Sequence, residues 1–204
     1  MYKLSKRDTD IPIYEQREQG CLRYDPKGSS VIAAQPPSLS KEVTMLQAAA
    51  DILIGTRQRM ANKLKDLSPE QWFTQPDGFA NNVAWNVGHL IMAQQGLCYA
   101  RLGLDVPFGA RMGEFRAMYG GGTSPASWDA NPDTDELLKL FVELPQQMPA
   151  DIAAGKFDGY VKPEPVEGRF PPADSVMHAM IFNQHHEGMH AGNIDDLLGF
   201  MEAQ

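Results

Sequence analysis

From Ser40 onward, apolar residues recur along the chain at three- and four-residue steps. Leu39, Val43, Leu46, Ala50, Leu53, Ile54 and Leu64 trace one face of a helix predicted over about 41–66. Ser68-Pro69-Glu70-Gln71 has the form of a helix start, with Ser68 as N-cap and Pro69 at the first helical position. It opens a short turn that ends near Gln75-Pro76-Asp77-Gly78. A second long helix is predicted over Asn81–Leu102, capped by Asn81 or Asn82 and closed by Gly103. A third begins near Asp133-Thr134 and carries Leu137, Leu138, Leu140, Phe141 and Leu144, with Pro145 and Pro149 placed to kink or end it. The last opens at Pro171-Pro172-Ala173-Asp174, runs to about Leu198 and stops at Gly199.

Residues 103–132 are rich in Gly and Pro (Gly120-Gly121-Gly122, Pro125, Pro132), with one short helix expected around Glu114–Tyr119. A connection of this length inside a compact domain often shapes a site. Residues 155–170 read as another loop, with Gly159, Pro163, Pro165 and Gly168. Residues 1–40 lack periodicity and carry Pro12, Pro26, Pro36 and Pro37. They read as an irregular N-terminal extension, leaving 41–204 as one domain. Nothing shows the alternation of a substantial sheet. Four long helices and long inter-helix loops imply an all-α four-helix bundle.

Composition narrows the function classes. The 204 residues are 43% hydrophobic and 22% charged, a globular rather than disordered balance. Lys and Arg number 18 against 26 Asp and Glu, so the net charge is −8 and no basic cluster interrupts it. That excludes the basic face a broad nucleic-acid footprint requires. No apolar run is long enough to span a bilayer, and the start MYKLSKRDTDIPIYEQ lacks the apolar stretch of a secretory signal. Cys21 and Cys98 lie far apart without CxxC spacing, so free thiols and a cytoplasmic setting are expected.

The histidines carry the chemistry. Of five, four fall between His178 and His190. On a helix, positions four apart share a face, so His186 and His190 join the apolar line Ala179, Phe182, Ile194, Leu197 and Met201. Imidazoles on adjacent turns lie roughly 5–6 Å apart at Cβ. That suits convergence on one ion at about 2.0–2.1 Å from each nitrogen. One buried imidazole is commonly structural. Two on one inward face would each need separate polar partners in an apolar bundle, which favours ligation. His89, on the face Trp85, His89, Met92, Gly96 and Tyr99, supplies a third ligand from another helix. Three neutral imidazoles leave coordination positions open, the mark of a reactive site. His178 and His185 point off the line and read as surface or edge residues.

His186-Glu187-Gly188-Met189-His190 also matches HExxH, the zinc-protease signature, and Asp196 stands where an extended version places a third ligand. The context disagrees. No peptide-binding sheet precedes it, position 193 is Asn rather than Gly, and the apolar line continues through Ile194 and Leu197. Glu187 reads as a solvated carboxylate, serving as acid or base only if it reaches the site. Cys98, nine residues beyond His89, faces away from it.

Leu67-Ser68-Pro69-Glu70-Gln71-Trp72, Val83-Ala84-Trp85-Asn86-Val87-Gly88-His89-Leu90 and His186-Glu187-Gly188-Met189-His190-Ala191-Gly192-Asn193-Ile194 together resemble the DinB/YfiT-like superfamily over roughly residues 41–200. Carried across by position, His89, His186 and His190 are the metal triad that the resemblance implies. Asn193 stands where the family usually has Gln, and Ala191 where a basic residue is common; neither is a ligand position. The resemblance further implies a four-helix bundle, often dimeric, holding nickel, zinc, iron or manganese. Characterised relatives include transferases and isomerases that use low-molecular-weight thiols such as mycothiol or bacillithiol. The expectation is therefore a cytoplasmic, homodimeric metalloenzyme acting on a small molecule, with a low-molecular-weight-thiol-dependent S-transferase as the leading reaction. The alternatives are a non-enzymatic metal-binding bundle, a metal-dependent hydrolase or an HExxH-type protease. Neither nucleic acid nor membrane is an expected partner.

Overall fold

The computed structural model describes residues 40–162 and 174–203, and every regular element among them is helical. Helix α1 (Lys41–Leu64) starts where Ser40 Oγ accepts the Val43 N–H. The short α2 (Pro69–Phe73) opens on Ser68 with a complete capping box: Ser68 Oγ accepts from Gln71 N, and the Gln71 side chain accepts from Ser68 N. Two otherwise orphaned N–H groups are thereby satisfied. Helix α3 (Val83–Cys98) is capped by Asn82, passes into a 3₁₀ turn at Ala100–Leu102, and ends at Gly103 with φ 72°. Helix α4 (Met112–Tyr119) lies inside the long connection, followed by a 3₁₀ turn at Pro125–Ser127. Helix α5 (Thr134–Glu143) is capped by Asp133 and continues through 3₁₀ Leu144–Gln147 into α6 (Met148–Ala153). A 3₁₀ turn at Lys156–Gly159 follows, and α7 (Val176–Glu202) closes the fold.

α1, α3, α5–α6 and α7 are the four long members. α1 and α3 each pack on both α5 and α7, which sets the ring order α1, α5–α6, α3, α7. Side-chain pairings give the directions. Gln184 donates to Ala49 O, and Lys63 pairs with Asp195, so α1 and α7 are parallel. Asn86 lies beside His190 and His89 beside His186, so α3 opposes α7. Gln47 reaches Pro149 O while Arg57 reaches Phe141 O, so α5–α6 opposes α1. Consecutive long members α3 and α5 are therefore parallel neighbours. The chain must travel back along the roughly 24 Å of α3 before α5 can start. This topology is the physical reason for the long 103–132 connection.

α3 is buried almost all round, because α7, α4, α5 and α2 surround it. One apolar core joins Met60, Leu64, Trp72, Val87, Leu90, Phe141, Ile194 and Leu197. A second, at the other end of the bundle, joins Leu46, Ala50, Leu53, Cys98, Tyr99, Met148, Ile152 and Met180. Between them lies a buried polar tier that includes Arg57, Gln94, Asn183 and Glu187.

The elements differ from their sequence reading chiefly at α7. α7 begins on Ser175, whose Oγ accepts from His178 N, and Pro171–Ala173 lie outside the described residues. It also runs through Gly199 to Glu202, since one mid-helix glycine costs only about 1 kcal/mol. Pro145 and Pro149 interrupt the third member as expected: α5 stops at Glu143, and each proline stands in the first turn of the next helical segment, where a missing N–H is harmless. The N-terminal extension up to Leu39, Cys21 and the second half of the 155–170 loop also lie outside the described residues.

Candidate metal centre

His89 projects from α3, and His186 and His190 from α7, one turn apart. Their rings close on one another, with centroid separations of 5.0 Å (His89–His186), 4.6 Å (His89–His190) and 4.7 Å (His186–His190). One nitrogen from each lies within 4.8 Å of the other two, so the three can hold one metal ion. His89 and His190 are 9% exposed, while His186 is half-buried.

Each of the two most buried rings is oriented by an acceptor. His89 Nδ1 donates to the Tyr119 carbonyl at 2.6 Å, and His190 Nδ1 donates to Asn86 Oδ1 at 2.7 Å. The Asn86 amide is itself fixed, because its Nδ2 donates to Asn82 O at 2.8 Å. Asn82 in turn caps α3 through Trp85 N and ties to Phe73 O of α2. With Nδ1 protonated in both rings, each Nε2 presents a lone pair to the centre. Outer partners of this kind hold ring tautomer and direction in metal sites.

His89 also stacks face to face on Trp85, centroids 4.7 Å apart at 10°, and Trp85 Nε1 donates to Thr123 Oγ1. The long connection thus supports the site at two points, Tyr119 O and Thr123. Gly88 makes the first possible: a Cβ there would lie 2.5 Å from the Tyr119 ring. Only glycine lets α4 approach closely enough for its last carbonyl to reach His89.

The electrostatics suit a cation. Burial lowers the pKa of all three imidazoles, and their mutual repulsion lowers it further for His186, to about 4, and for His190, to about 3. All three are neutral at pH 7, with lone pairs available. His89 Nε2 and His186 Nε2 are 3.2 Å apart. Two ligands at about 2.0–2.1 Å from one ion lie roughly 3.0 Å apart at a right angle and roughly 3.4 Å apart in a tetrahedron, so the spacing fits. A proton shared between these two nitrogens could explain that one contact. It leaves the inward Nε2 of His190 unexplained.

The other sequence candidates fall outside this cluster. His185 is exposed, and His178 lies beside Asp174 at the start of α7. Asp196 and Asn193 are exposed. Cys98 is buried in the second core, and burial pushes its thiol up to about 12, so it stays protonated. The solvated reading of Glu187 is overturned. Glu187 is 1% exposed and takes a two-pronged ion pair from Arg57, Nε to Oε2 at 3.1 Å and Nη2 to Oε1 at 2.7 Å. The buried line of α7 passes through Asn183, Glu187 and His190, with His186 on its flank. A carboxylate held this way is not free to act as the base of an HExxH protease, and no strand lies among the described residues.

Asn86 and Arg57 were missed as site residues, although each left a trace. Asn86 is a polar residue one turn after the Asn82 cap in an otherwise apolar segment. Arg57 interrupts the buried line Leu46, Ala50, Leu53, Met60, Leu64. The Tyr119 contact left no trace, because a backbone carbonyl has no side-chain signature.

The described residues thus form a helical bundle in which three inward imidazoles on two opposed helices could hold a metal ion. The model of the DinB superfamily matches residues 52–194, and the chain belongs to that family. That span takes in all three histidines. No curated protein matches the sequence. No helix among the described residues is long and apolar enough to cross a membrane.

Proposed function

We propose that His89, His186 and His190 hold one divalent transition-metal ion, and that the protein is a metal-dependent enzyme acting on a small molecule. The observation that carries this reading is the convergence of three neutral imidazoles, two of them locked by Tyr119 O and Asn86 so that Nε2 faces inward. Three imidazoles suit nickel, zinc, iron and manganese alike. A divalent ion held there would lower the pKa of a thiol or a water at an open position. The chain's own residues then have defined tasks. Asn86 and the Tyr119 carbonyl keep the ring protons away from the centre. Trp85 shields one face of His89. His186, the least buried of the three, is the ligand on the side from which a small molecule would approach.

Among reactions, transfer of a low-molecular-weight thiol to an electrophile is the leading reading. Neither Cys98 nor Glu187 is available as nucleophile or base, which favours a reactive thiol that arrives with the substrates. The protein is proposed to act as a cytoplasmic homodimer. The test is to load the metal-stripped protein with each ion in turn and assay low-molecular-weight thiols against electrophiles. Turnover that needs both metal and thiol and is lost in His186→Ala/His190→Ala supports the enzyme. Stoichiometric metal without turnover for any thiol or hydrolysable substrate favours a non-enzymatic metal-binding bundle.

A further inference from the structure

Arg57 of α1 is fully buried and touches the other three long members. Its Nη2 donates to Glu187 Oε1 on α7 and to Leu90 O on α3, each at 2.7 Å. Its Nη1 donates to Phe141 O on α5 at 3.3 Å, and its guanidinium lies 4.6 Å above the Phe141 ring. The Phe141 carbonyl is available because its i+4 partner is Pro145, which has no N–H to give.

The places of contact matter more than their number. Leu90 adjoins His89, and Glu187 adjoins His186. A single nitrogen therefore bridges the two ligand-bearing helices one residue from a ligand on each. It spans the level at which His89 Nε2 and His186 Nε2 stand 3.2 Å apart. An apolar core needs no such group, since a buried ion pair can be replaced by hydrophobic residues at little or no cost in stability. A planar fork with fixed donor directions, by contrast, sets a distance.

We infer that Arg57, through Glu187 and the Leu90 carbonyl, is a positioning residue that sets the spacing of α3 and α7 and hence the geometry of the imidazole triad. The inference rests on the metal reading above. Arg57 supplies no ligand, and it also keeps the Glu187 carboxylate off the centre, so the donor set is three neutral rings.

Co²⁺ is the probe, because its visible bands report coordination geometry. The full-length metal-stripped protein is titrated as wild type, as Arg57→Lys and as Arg57→Met/Glu187→Leu. Arg57→Lys keeps the charge opposite Glu187 but has one nitrogen with rotatable donors, so it loses the paired Nε and Nη1 bonds to Glu187 Oε2 and Phe141 O and with them the fixed planar geometry. The double variant removes both charges, so no ion is left buried alone. Each variant's fold is checked by circular dichroism and melting without metal. The expected result is a folded variant that binds Co²⁺ on the order of tenfold or more weakly, with shifted visible bands, as loss of an outer partner generally produces. If the double variant does not fold, Arg57→Lys decides. A merely structural brace would lower the melting temperature and leave the affinity and bands of the folded molecules unchanged; that outcome overturns the inference. A wild-type chain that takes up no Co²⁺ overturns the metal reading and this inference with it, a result distinct from either variant outcome.

Discussion

Replacing Gly88 by alanine sets two opposing effects against each other. Helix propensity alone favours the change, since alanine in a helix interior is better than glycine by about 1 kcal/mol. The packing opposes it. The added Cβ would stand 2.5 Å from Cδ1 and Cε1 of Tyr119 and 2.6 Å from Cγ, where ordinary contact begins at 3.4 Å. The ring must therefore withdraw by roughly 0.9 Å, and overpacking of this kind costs about 1–3 kcal/mol. The net expectation is a loss of roughly 0–2 kcal/mol rather than a gain. The withdrawal also carries away the Tyr119 carbonyl, which receives the His89 Nδ1 proton at 2.6 Å. Metal affinity should then fall by about 10–100-fold, as it does when an outer partner of a ligating imidazole is lost. Urea unfolding of the metal-free protein and an isothermal titration with Ni²⁺ measure the two effects separately. A Gly88→Ala protein that is more stable than wild type and binds Ni²⁺ equally well would refute the reasoning, because α4 would then not need the glycine.

Three further outcomes are expected. Asn86→Leu removes the acceptor of the His190 proton while keeping bulk, and should weaken Ni²⁺ binding by about 10–100-fold; an unchanged isotherm would detach Asn86 from the site. Ni²⁺ or Co²⁺ should quench tryptophan fluorescence through Trp85, which stacks on His89, and Trp85→Phe should abolish most of the quench while Trp72 and Trp128 still emit. Equal quenching in that variant would place the ion elsewhere. Stability of the metal-free protein should fall as pH drops below 6.5. Above that pH the three imidazoles are neutral folded or unfolded; below it the unfolded chain takes up protons that the native chain accepts only near pH 4 for His186 and pH 3 for His190. His186→Ala/His190→Ala should flatten the decline between pH 6.5 and 4, and parallel slopes in urea midpoints would contradict the buried, neutral rings.

The parts of this protein written in side-chain periodicity were legible in its sequence. Ser68, Asn82 and Asp133 announced helix starts because a cap must present a short acceptor beside free N–H groups. His186 and His190 were legible through their four-residue step, and His89 through its place on a second apolar face. Arg57 was not, since a long cation beside hydrophobes commonly lays its stem on the core and keeps its head in water. Glu187 was misread for the same reason: without knowing that Arg57 faced it, solvent was the cheaper partner for a carboxylate. The topology was hidden as well. The length of the 103–132 connection was visible, but that it carries the chain between two parallel helices, and places the Tyr119 carbonyl against His89 on the way, depends on packing that no local pattern encodes.

The central claim is tested most directly by elemental analysis of protein purified without a metal-affinity tag, beside His186→Ala/His190→Ala prepared identically. The account predicts close to one equivalent of a transition metal in the wild type and none in the variant. Metal in equal amount in both, or none in the wild type even after reconstitution, would contradict it.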